Sequence, residues 1–127
     1  MLARILVAED DDALRASLCD FLRSRRHEVL EASDGAQAFA VAEKDMPHLI
    51  ITDVVMHGVY GTTAAKRLHD YWRTAKIPII LISGTIGSAS VTELLKDPTV
   101  RFLKKPVNLA LLERTIADLL PQGGFTP

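Results

Sequence analysis

Five short apolar runs rich in β-branched residues punctuate the chain: Ile5 to Ala8, Val29 to Ala32, Leu49 to Thr52, Ile79 to Ser83 and Val100 to Leu103. Several are continuous rather than alternating, the pattern of strands covered on both faces. Between them the apolar spacing turns helical. Leu14, Leu18, Phe21 and Leu22 form one stripe, Ala38, Phe39 and Ala42 a thinner one, and Ala65, Leu68 and Trp72 a third. Leu109, Leu112, Ile116, Leu119 and Leu120 form the clearest. Strand and helix alternating five times predict a parallel sheet with right-handed crossovers and helices on both faces, the doubly wound α/β class.

The punctuation agrees. Asp34 with Gln37 three residues on is a variant capping box, and Asn108 before Leu109 is a second candidate cap. Pro47, Pro78, Pro98 and Pro106 fall between the periodic segments, where a missing amide donor costs little. The fourth helix is the thinnest: Gly84 to Ser90 reads as a mobile loop, and only Val91, Leu94 and Leu95 supply apolar spacing. The 127 residues suffice for one domain, assigned to 1–120, with 121–127 a tail or the start of a linker.

Composition removes other classes. Fifteen basic against sixteen acidic residues leave a net charge of −1, without the basic stripe of a nucleic-acid binder. No run reaches the ~18 apolar residues of a membrane span. The lone Cys19 reads as a small buried hydrophobe, and a reducing, cytoplasmic setting is expected. His27, His48, His57 and His69 lack zinc-ligand spacing. Gly84 to Gly87 is no phosphate loop, because no Gly-Lys-Ser/Thr follows. Arg23, Arg25 and Arg26 suit the negative end of the first helix, and Tyr71 and Trp72 are expected to be partial core.

In open α/β sheets, ligands bind beyond the carboxyl ends of the strands. The first strand ends in Glu9 and Asp10, the third in Asp53, the fourth in Ser83 and the fifth at Lys105. Three carboxylates, a hydroxyl and an ammonium on one edge suit a metal ion and a phosphoryl group. Crowded carboxylates call for a cation, and Mg²⁺ takes hard oxygen ligands while keeping waters for a phosphate. Asp53 could then act as a nucleophile toward phosphorus.

These residues sit in four motifs: Ile5-Leu6-Val7-Ala8-Glu9-Asp10-Asp11, Leu49 through Met56, Pro78 through Gly84, and Phe102-Leu103-Lys104-Lys105-Pro106. In that order and spacing the chain, from Arg4 to Leu120, resembles a receiver domain of the bacterial two-component response regulators, the CheY-like superfamily. The resemblance implies a flavodoxin-like (βα)5 sandwich with strand order 2-1-3-4-5. It implies that Asp53 is the phosphoacceptor, self-phosphorylating from a phosphohistidine on a sensor histidine kinase or histidine phosphotransfer protein, with autodephosphorylation allowed. Glu9, Asp10, Asp53 and the Val55 carbonyl would hold Mg²⁺, and Lys105 would pair with the phosphoryl group. Ser83 and Phe102 would form the switch, and a cis peptide would precede Pro106.

Three positions depart from the family pattern. His57 replaces a usual proline, Phe102 a commoner tyrosine, and Glu9 the first aspartate. The implied partners are an upstream kinase and a downstream output protein or fused output domain, with a phosphorylation-dependent dimer allowed and no direct contact with nucleic acid or membrane. The competing readings are a phosphorylation-independent docking module, an aspartate-nucleophile phosphohydrolase and a flavin carrier. The phosphohydrolase lacks its second acid, since Val55 stands two residues after Asp53.

Overall fold

The computed structural model describes residues 3–56, 61–84 and 89–120, and at 61–63 and 89–90 the backbone alone. The strands are β1 (Arg4–Ala8), β2 (Glu28–Ala32), β3 (Leu49–Asp53), β4 (Ile79–Ser83) and β5 (Val100–Lys104). The helices are α1 (Asp12–Ser24), α2 (Gly35–Asp45), α3 (Gly61–Asp70), α4 (Ala89–Leu94) and α5 (Leu109–Leu119). All strand pairs are parallel, in the order β2-β1-β3-β4-β5, as expected.

Side chains alternate across each strand, so the sheet feeds two cores. Ile5, Val7, Ile51, Ile80 and Ile82 face one way and pack with Leu18, Cys19 and Leu22 of α1 and Leu112 and Ile116 of α5. Leu6, Ala8, Ile50 and Leu81 face the other way, against Ala38 and Ala42 of α2, Ala65 and Leu68 of α3, and Val91 and Leu94 of α4. The central strands β3 and β4 are buried at every residue, which is why their sequences show no alternation. The edge strands β2 and β5 are only partly covered and carry Glu28, Glu31, Arg101 and Lys104 in consequence.

The caps hold as read. Asp34 Oδ1 accepts from Gln37 N at 2.8 Å, and Asn108 Oδ1 from Leu111 N at 3.0 Å. Gln37 Oε1 accepts from the Ser33 backbone N–H at 2.8 Å, one residue earlier than a standard box would place it. The fourth helix is a single short segment, while 85–88 of the expected loop, His57 and the tail 121–127 lie outside the described residues. No helix among the described residues is long and apolar enough to cross a membrane.

Three expectations change. Trp72 is 80% exposed, because α3 ends at Asp70 and the ring lies on the turn beyond the helix stripe. Tyr71 alone is half-buried there, against Phe39 at 5.8 Å. Leu109 is 38% exposed at the first turn of α5, where the helix has not yet reached the sheet. Arg23 and Arg25 are drawn sideways to Glu31 (3.2 Å) and Glu113 (3.6 Å), so ion pairs as well as the helix end place them.

Asp97 joins α3 to the turn before β5. It accepts from His69 Nε2 at 2.6 Å and from Thr99 N and Oγ1 at 2.8 Å each. The Thr99 amide, then His69, hold its carboxyl below the ordinary value of 3.8. The folded form therefore favours the charged state, and that stability is present above pH 3.8 and lost as pH falls through the lower folded value. Asp97→Ala is expected to cost about 1–2 kcal/mol in urea unfolding at pH 7, and less at pH 3.

Candidate functional site

Strand register assembles the site. Ala8 pairs with Thr52, so Glu9 lies beside Asp53 at the end of the sheet. Asp53 pairs with Ile82 and Ser83 with Lys104, which brings Ser83 and Lys105 one step beyond. Lys105 N donates to the Ser83 carbonyl at 2.7 Å, and Val54 N to the Ile82 carbonyl at 3.0 Å. The Lys105–Pro106 peptide is cis.

The four consecutive acids Glu9 to Asp12 divide between two tasks. Asp11 is the α1 N-cap, its Oδ1 accepting from Leu14 N at 3.0 Å, and Asp12 opens the helix. Glu9 and Asp10 turn instead toward Asp53, and the three offer ligand oxygens all within 4.8 Å of one another. The cap role of Asp11 was missed in the sequence, although an Asp just ahead of an apolar helix stripe, here three residues before Leu14, is its usual signal.

Asp53 is 5% exposed and engaged on both oxygens. Oδ2 lies 2.6 Å from Lys105 Nζ, and Oδ1 accepts from Val55 N at 3.2 Å. Lys105 Nζ also lies 3.2 Å from Glu9 Oε2. Burial works to lower the Lys105 pKa, but Asp53 and Glu9 outweigh it and the ammonium titrates above its ordinary value. Glu9 is 1% exposed. Its Oε1 accepts from Asp11 N at 3.1 Å, while the buried Oε2 has no aligned hydrogen-bond donor despite its nearness to Lys105. Burial, then the neighbouring Asp53, raises the Glu9 carboxyl to about 7.

This set fits a hard divalent cation. It has an all-oxygen donor group, an excess of negative charge over the single ammonium, and a buried carboxylate oxygen lacking a proper partner. Ser83 is buried at the end of β4, and Phe102 is half-buried against the core beneath α4. Val55 is exposed beside the acids. A groove of about 330 Å³, lined by Leu14, Leu18, Lys105, Pro106 and Leu109 among others, opens next to Lys105.

The model of the response regulator receiver domain family matches residues 5–117, from the second residue of β1 into the last turn of α5. The chain belongs to that family. Response regulator PleD of Caulobacter vibrioides is 35% identical over 119 residues, 94% of this chain and 26% of PleD. The chain thus spans about a quarter of that relative's length. The receiver domain of the hybrid histidine kinase CckA is 36% identical, with a TM-score of 0.74 over 91% of this chain and 98% of that one. The receiver domain of Ssk1 from Saccharomyces cerevisiae, solved together with the histidine phosphotransfer protein Ypd1, is 25% identical, with a TM-score of 0.79 over 91% of this receiver and 87% of that chain. Receiver domains are the phosphoaccepting modules of two-component signalling.

Proposed function

We propose that this receiver takes a phosphoryl group onto Asp53 from a phosphohistidine and passes the signal on through a change at Ser83 and Phe102. The observation that carries the reading is the convergence of the acid pair Glu9–Asp10, the buried Asp53 and the Lys105 ammonium from three separate strand ends. The Ssk1–Ypd1 complex supports a phosphotransfer protein or kinase as donor.

In the transfer, an Asp53 carboxylate oxygen attacks phosphorus as the P–N bond to the donor imidazole breaks. The imidazole leaves with the electron pair of that bond. Lys105 neutralises charge on the equatorial oxygens, and the Val55 amide, already aimed at Asp53 Oδ1, steadies the nucleophile. Glu9, Asp10 and Asp53, with the Val55 carbonyl, would hold Mg²⁺, which when bound supplies positive charge to the transferring oxygens. Burial under the sheet edge limits water and so favours transfer over hydrolysis. The Ser83 hydroxyl, at the end of β4, follows the new phosphoryl oxygens, and Phe102, on the paired strand β5, moves in step.

Incubation with acetyl phosphate, read by intact mass, tests this. One phosphoryl mass is expected with Mg²⁺ and none after chelation. An unchanged mass in both conditions would favour a docking module that works unphosphorylated.

A further inference from the structure

Arg15 stands in the second turn of α1, where the helix dipole disfavours a cation. Its side chain is nonetheless only 17% exposed and fully committed. Helical side chains lean toward the N-terminus, which carries this guanidinium back over the first turn. There Nη1 donates to the Glu9 carbonyl at 2.7 Å. Nη2 meets Asp12 Oδ1 at 2.6 Å and Nε meets Glu31 Oε1 at 3.3 Å. Glu31, on β2, is held in turn by Arg23 at 3.2 Å.

The Glu9 carbonyl belongs to the planar peptide that joins Glu9 to Asp10. Fixing that plane narrows the directions in which both side chains can leave the backbone. The Glu9 N–H on its other side is already tied to the Ala32 carbonyl at 3.0 Å. The geometry points to Arg15 as a positioning residue: anchored by Glu31 and Asp12, it clamps the Glu9–Asp10 peptide so that the acid pair stays aimed at Asp53 for a divalent cation. This rests on the metal-binding reading above. Arg15 touches no reacting atom, and its charge is balanced by Asp12 and Glu31, so it acts through orientation rather than field.

Removing Arg15 alone would leave Asp12 without its counter-charge and Glu31 with Arg23 only, adding net negative charge that strengthens cation binding for an unrelated reason. The test therefore preserves charge. Arg15→Lys keeps the cation but loses the planar fork that reaches three acceptors at once. The double change Arg15→Met with Glu31→Gln removes one charge of each sign. MgCl2 is titrated into the full chain and followed by the amide resonances of residues 9, 10 and 53, with amides in α5 as a check on the fold. Both variants are expected to need on the order of tenfold more Mg²⁺ than the wild type. Phosphorylation by acetyl phosphate should fall at low Mg²⁺ and return to within about twofold of wild type at saturation. Mg²⁺ midpoints within twofold of wild type in both variants would overturn the clamp and leave the metal reading intact. A wild-type protein with no response to MgCl2 would overturn both.

Discussion

Lys105→Met is expected to weaken both the fold and the chemistry. Among the described residues, Lys105 is the ammonium set against Asp53 and Glu9, at 2.6 and 3.2 Å. Without it two buried carboxylates face each other unopposed. Breaking a buried ion pair by removing one partner costs several kcal/mol, and Lys105, at 27% exposure, lies near the rim of the site. A loss of about 2 kcal/mol in urea unfolding at pH 8 is therefore expected. The loss should shrink toward pH 5, where Glu9 protonates and relieves the repulsion. Phosphorylation should slow on the order of a hundredfold, the usual effect of losing one preorganised donor to developing oxyanion charge. An unchanged rate would place the neutralising charge elsewhere.

Glu9→Gln should act in the opposite direction on stability. The folded Glu9 carboxyl titrates near 7, above its ordinary 4.5, because it is buried beside Asp53. Between those pH values the folded chain holds a proton that the unfolded chain has lost. Stability contributed by that proton is present at pH 4.5, falls as pH rises toward 7, and then levels off. Glutamine keeps the shape and the neutral hydrogen bond without that penalty. In the absence of divalent cations the variant should be about 2 kcal/mol more stable than wild type at pH 8 and equal to it near pH 4.5. It should also lose most of the stabilisation that MgCl2 confers on wild type, since a ligand stabilises only the form that binds it. A variant less stable than wild type at pH 8 would show that Glu9 is held charged in the folded protein.

The parallel sheet was legible because β3 and β4 are apolar at almost every position, and because polar residues stop the site strands at one edge; the strand order came only with the family resemblance. Burial on both faces produces the first pattern, and the common carboxyl end of parallel strands the second. Trp72 misled because helical spacing extends past Asp70 in the sequence, while the chain has already left the helix. Glu9 and Asp10 were assigned to the cation site by their place at the end of β1 and by the resemblance, whereas the cap role of Asp11 was passed over because it stands in the same run of acids. The Arg15 clamp joins residues 9, 15 and 31 through a long side chain, and no periodicity marks such a contact.

The phosphoacceptor can be located directly. The chain is treated with acetyl phosphate and Mg²⁺, the acyl phosphate is reduced with borohydride to the stable alcohol, and the peptides are mapped by mass, with Asp53→Asn in parallel. The account predicts homoserine at position 53 and nowhere else, and no reduced peptide from the variant. Reduction at Glu9, Asp10 or any other carboxylate, or the same product from Asp53→Asn, would contradict it.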